Sequence, residues 1–136
     1  MATLPSGLPE LVADDESLSR FLTQSSHFNS IMAKPAAFLP SPVYKNTSVF
    51  RIGNEPDRLR ATWNETATGE RTLKGAAIFK AADVRQAQLD VIAKELPLAH
   101  ANIVGWPWLE NDPELQKARQ KEMATQIAST TSVVVL

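Results

Sequence analysis

The sequence predicts a single α+β domain in which a small, mostly antiparallel sheet packs against about three to four helices. Three observations carry this prediction. Apolar, β-branched runs such as "TSVFRI" and "TLKGAAIF" are bounded by turn residues. Between them lie segments with helix caps and i, i+3, i+4 apolar spacing. The chain has 136 residues, 43% hydrophobic and 21% charged, which is the size and balance of one globular domain able to bury its own core.

Residues 1–13 carry Pro5, Gly7 and Pro9 with little periodicity and predict a mobile N-terminal arm. Leu4, Leu8, Leu11 and Val12 would let that arm pack on a neighbour. The globular domain is expected over 14–128. Its opening segment, "DDESLSRFLTQ" (14–24), predicts a helix: Asp14 caps it, acids occupy the first turn, and Leu18, Phe21 and Leu22 form one apolar face. "SSHFNS" is the exit. The segment 34–46 holds Pro35, Pro40 and Pro42, so it reads as an extended edge strand or a loop. "TSVFRI" (47–52) predicts a strand with Val49 and Arg51 on one face and Ser48, Phe50 and Ile52 on the other.

A second helix is expected over 54–69, with Asn54 as cap, Pro56 in the first turn, Leu59 and Trp63 on one face and Gly69 as the stop. "RTLKGAAIF" (71–79) reads as a strand, followed by a short helix over 80–88 and a strand over 89–96, or by one longer helix across "AADVRQAQLDVI". Asp112, Pro113 and Glu114 then supply a helix cap, first position and first turn, and this helix should run to about Ala128 with Met123, Ala124 and Ile127 on its apolar side. Residues 129–136, ending "SVVVL", form an edge strand or an anchored tail. The predicted core is Phe21, Leu22, Phe38, Val49, Leu59, Trp63, Ile78, Val91 and Ile103, each contributing roughly 1.5–3 kcal/mol on burial before entropy is counted.

Composition excludes several function classes. A net charge of −1 and a pI near 6.1 create no global basic field for nucleic acid or acidic membranes. The chain has no cysteine, which removes disulfides, thiolate nucleophiles and cysteine zinc sites, and suits a reducing, cytoplasmic setting. The N-terminus lacks the basic and apolar regions of a secretory signal, and no run reaches the length of a membrane span. The sequons at Asn46 and Asn64 are therefore read as chance matches.

The densest cluster of chemically capable residues is "HANIVGWPWLENDPELQK" (100–117). His27 and His100 are the only imidazoles. With Arg51 they are the candidates for acid–base cleavage of RNA or a nucleotide, one imidazole as base and one as acid. Neither has the paired spacing of a zinc site, and Asp14, Asp15 and Glu16 read as a capped helix start, so no metal and no cofactor is expected. Ser25 and Ser26 adjoin His27 but cannot face it from one helix. Lys45, Arg51, Arg58 and Arg60 with Tyr44, Phe50 and Trp63 form a loose mixture suited to single strands, interrupted by Glu55 and Asp57. No GxSxG, GxGxxG or P-loop pattern occurs. Trp106 and Trp108, flanking Pro107, make a rigid aromatic segment fit to anchor a protein partner, with Asn102 nearby.

"SRFL", "KPAAFLP", "TSVFRI", "VRQAQLDV" and "HANIVGWP", in this order, resemble a family of short uncharacterised bacterial proteins that look like accessory genes of mobile or anti-phage clusters. The resemblance covers about residues 18–128 and marks Arg51, His100, Asn102 and Gly105 as belonging to its segments, but it implies no catalytic residue. It makes the leading expectation a non-enzymatic binding or accessory subunit of a bacterial multi-component system of antiviral defence, with Trp106, Trp108 and Asn102 facing a protein partner. The alternatives are a small RNA- or nucleotide-directed enzyme using His100, His27 and Arg51, and an inhibitor or antitoxin-like protein capping a larger enzyme.

Overall fold

The segment expected to open the domain as a helix is instead a central strand. Ser17–Leu22 forms β1, and each of its six residues pairs with one of Gly75–Lys80. Leu18 and Leu22 satisfy the strand period of two as well as the helix spacing, and the serines between the apolar residues favour a helix only weakly. Pairing with an apolar strand decides between the two. The acids that looked like a first turn bind arginines: Asp14 pairs with Arg85 and Glu16 with Arg51.

The computed structural model describes residues 3–136. Single 3-10 turns at Ser25–His27 and Pro35–Ala37 follow β1. Then come β2 (Thr47–Phe50), α1 (Pro56–Thr66), β3 (Gly75–Lys80), α2 (Ala81–Gln86), β4 (Asp90–Ala93), β5 (His100–Val104), α3 (Pro113–Ala128) and β6 (Ser132–Val135). The six strands make one antiparallel sheet in the order β4-β5-β2-β1-β3-β6. This is the small α+β domain that the sequence predicts, with β1, expected as a helix, as an inner strand. The prolines of 34–46 make turns, and 80–96 is helix then strand, broken where Gln88 takes a positive φ of 67°. The final apolar run is β6, at a sheet edge.

The strand alternation divides the core in two. On one face Leu18, Leu22, Val49, Phe79, Val91 and Ile103 pack with Val84 of α2, Ala124 and Ile127 of α3, and Phe38. On the other, Phe50, Ile52 and Ala76 pack with Leu59 of α1. Of the predicted core, Leu22, Phe38, Val49, Leu59, Val91 and Ile103 are buried. Phe21, Trp63 and Ile78 are half-buried, because they lie on the face that only α1 covers.

Residues 3–13, expected as a mobile arm, are held by specific bonds. Ser6 binds the Glu95 carboxylate through N–H and Oγ, Pro9 O accepts from Arg51, and Val12 is 2% exposed within the core. At the other end of the sheet, Gly105 takes φ +93°, a conformation that glycine adopts without a Cβ penalty. That turn sends Trp106 down into the main core and leaves Trp108 half-buried, with Lys45 Nζ 5.4 Å from the ring centroid.

Candidate functional site

The face covered by α1 is only partly closed, and its floor is a chain of aromatic contacts. Trp63 of α1 meets Phe21 edge-on at 5.4 Å between centroids, Phe21 lies 5.2 Å from Phe50, and Phe50 lies 5.2 Å from the His100 ring. These side chains share a face because Phe21, Phe50 and His100 occupy matching positions of β1, β2 and β5. Beside them opens a cleft of about 300 Å³, at the lower end of the range for small-molecule sites.

The cleft exists because β1 and β2 separate. Their ladder is one residue pair, Ser19↔Phe50. Beyond it Arg20 spans the gap, donating from Nε to Ala37 O and from Nη1 to Ser48 O, each at 2.9 Å. The guanidinium thus joins the strands where backbone pairing fails. No carboxylate pairs with it among the described residues. Burial, and secondarily the charge of Arg71, lowers Arg20 to a pKa of about 10, so it remains a cation near neutrality. Arg71 reaches the same cleft past the Trp63 ring, 5.9 Å from its centroid.

Ser48 and His100 sit on neighbouring strands, two register positions apart on the same face, since Ser48 pairs with Asn102 and Phe50 with His100. Ser48 Oγ and His100 Nε2 are 2.6 Å apart, and His100 Nδ1 is 2.8 Å from Lys94 O. A carbonyl only accepts, so Nδ1 carries the proton in the neutral ring and Nε2 accepts from the Ser48 hydroxyl. Burial lowers the His100 pKa; the bond to Lys94 O opposes this in part and the Lys94 charge adds to it. The neutral ring is therefore the form favoured at neutral pH. His27, on the turn after β1, contributes a second imidazole to the cleft wall.

Arg20, Arg71, His27 and His100 all line this cleft, and no Asp or Glu does. Thr23, Thr66, Thr68 and Gln24 supply neutral hydrogen-bonding groups. Such a surface attracts an anion, and the adjoining rings offer a flat apolar wall for its organic part.

The residues expected to act together are divided. His27 and His100 share the cleft. Arg51 does not: its side chain is 0% exposed and is bound bidentately to Glu16 at 2.7 and 2.8 Å, with a third bond to Pro9 O. The arginine that lines the cleft between β1 and β2 beside the two imidazoles is Arg20. Trp106 is 4% exposed and packs in the core, so it presents no surface to a partner. Trp108 and Asn102 are half-buried, and neither lines the cleft. Lys45, Arg58 and Arg60 also lie outside it, so the loose basic mixture does not converge there. No set of three His, Asp or Glu side chains among the described residues is arranged to hold a metal ion.

Sequence reasoning missed Arg20, Ser48 and Arg71. A signal for Arg20 was present: it falls between Leu18 and Leu22 at strand spacing, where a charge interrupts an apolar stripe. Ser48 acquires its meaning only from the β2–β5 register. No protein-family model, no curated protein and no solved structure matches the chain. No helix among the described residues is long and apolar enough to cross a membrane.

Proposed function

We propose that this protein binds an organic phosphate of nucleotide size in the cleft between β1, β2 and α1. The observation that carries the reading is the absence of any carboxylate from a cleft lined by two arginines and two histidines. One of those arginines, Arg20, is held between strands with no acidic partner among the described residues. Arg20 is half-buried, and a cation partly withdrawn from water without a counter-ion is held at a cost that an anionic ligand offsets. Trp63, half-buried at the cleft, suits a base or another flat ring.

Titration with adenosine 5′-monophosphate, followed through the ring resonances of His27 and His100, tests this. Saturable shifts are expected for the nucleotide and not for adenosine. Binding should weaken with added salt and fall about tenfold in Arg71→Ala, the loss of one charge-assisted contact. Equal binding of adenosine, or no saturation by any phosphate, would overturn the reading.

A second reading, an accessory subunit of a bacterial multi-component system, draws on a separate observation. Val43 and Tyr44 are 76% and 77% exposed on the loop that brings Lys45 over Trp108. Loss of a co-purifying partner on Tyr44→Ala, with the fold intact, is its expected signature.

A further inference from the structure

We infer that Ser48 is a nucleophile, with His100 as its base, which takes the phosphoryl group from a phosphate monoester held by Arg20 and Arg71. This rests on the cleft reading above and names the chemistry of the same site. Three groups stand in the order that nucleophilic catalysis needs: a hydroxyl, an imidazole within hydrogen-bond reach of it, and a third group orienting the imidazole. Here these are Ser48 Oγ, His100 Nε2 at 2.6 Å, and Lys94 O at 2.8 Å from Nδ1. The ring contact with Phe50 helps fix the imidazole plane.

The surroundings select phosphorus over an acyl carbon. Two guanidinium groups match the two charges of a phosphate monoester. Arg20 Nη1 is bound to the carbonyl of Ser48 itself, so one of those charges is fixed beside the nucleophile. Phosphoryl transfer needs positioning and charge stabilisation of this kind.

The reaction closes with water as the co-reactant. Ser48 Oγ forms a bond to phosphorus while the ester P–O bond breaks. The Oγ proton passes to His100 Nε2, and His100 hands it on to the departing alkoxide, which leaves as the alcohol. Water then attacks the phosphoserine and gives a proton to His100. The P–Oγ bond breaks, His100 returns that proton to Ser48, and inorganic phosphate leaves. The imidazole ends as it began.

The full chain treated with p-nitrophenyl phosphate should release p-nitrophenolate. Acid quenching should trap one phosphoryl group on the peptide containing Ser48. Ser48→Ala should form no adduct and release no phenolate. His100→Gln should slow release by about a hundredfold or more, the usual worth of a general base. The inference is overturned if the chain binds the nucleotide but releases no phenolate, if Ser48→Ala releases it undiminished, or if the phosphoryl group is found elsewhere. Failure to bind the nucleotide at all would overturn the cleft reading as well.

Discussion

Arg20 is half-buried in β1 and Arg51 is buried just past the end of β2, and the two guanidinium groups are finished in opposite ways. Arg51 meets a carboxylate squarely, with two bonds to Glu16 and one to Pro9 O. Its charge is neutralised within the fold, and it ties the N-terminal segment to the end of β2. Arg20 meets only carbonyl oxygens, from Ala37 and Ser48, and its nearest charge influence is the like charge of Arg71. The first arrangement is complete in the free protein. The second is satisfied in its hydrogen bonds and unsatisfied in its charge. The chemistry of the partners separates the two arginines: a carboxylate for Arg51, only carbonyl oxygens for Arg20.

The largest effect that would sharpen this contrast is on stability. Arg51→Met leaves the Glu16 carboxylate and Pro9 O without their donor and should cost about 3 kcal/mol, the lower end for breaking a buried ion pair. The low end applies because the Glu16 side chain is 23% exposed and can recruit water. Urea unfolding measures it. The folded fraction should still bind adenosine 5′-monophosphate. A variant that keeps its stability and loses the nucleotide would reverse the roles assigned to the two arginines.

Arg20→Met is expected to do the opposite. It removes two hydrogen bonds but also an uncompensated charge, so stability should change by only about 1 kcal/mol. Nucleotide affinity should fall about tenfold to a hundredfold, as for a charge-assisted contact. The pair of measurements, denaturation midpoint and dissociation constant, forms a cross. If both variants fall on the same axis, the comparison fails.

These roles were unevenly legible in the sequence. The α+β class followed from interleaved periodicities, and α3 begins where Asp112 and Pro113 predict, with Asp112 Oδ1 accepting from Leu115 N–H. The α1 cap is displaced by one residue, from Asn54 to Glu55, whose carboxylate accepts from Arg58 N–H. At β1 local rules are silent: Leu18, Phe21 and Leu22 fit a helix face, and only the six pairs with β3 select a strand. The site follows the same division. His27 and His100 stand out because no other imidazole exists in the chain. Arg20 shows in the sequence only as a charge between Leu18 and Leu22, and Ser48 is ordinary, until the single β1–β2 bridge and the β2–β5 register give them neighbours. Arg51 misled because it directly follows the strand run "TSVF", while its acid lies 35 residues away in the chain.

The smallest expected effect separates the two regions by pH. His100 titrates below its ordinary value of 6.5 in the folded chain, because burial disfavours the imidazolium. The unfolded chain therefore takes up that proton first. The contribution to stability is full above pH 6.5 and is lost as pH falls through the folded value. The groups facing this ring are Ser48, Lys94 and Phe50, with Arg20, Arg71 and His27 along the same cleft. Glu16 behaves similarly at more acid pH. Burial pushes its carboxyl up, but the bonds from Arg51 and Ala13 and the charges of Arg51 and Arg85 outweigh this and hold it below 4.5. Its contribution is lost only as pH falls below that value. Stability measured against pH should thus decline in two stages, a shallow one below 6.5 and a steeper one below 4.5, the latter shared with Asp90 and Glu95, which are also lowered. His100→Gln should remove the shallow stage and Glu16→Gln should reduce the steep one. Saturating phosphate should flatten the shallow stage further, since a bound dianion favours a protonated imidazole beside it. A shallow decline that survives in His100→Gln would place its source outside the Ser48–His100 pair, and the cleft would lose its distinguishing titration.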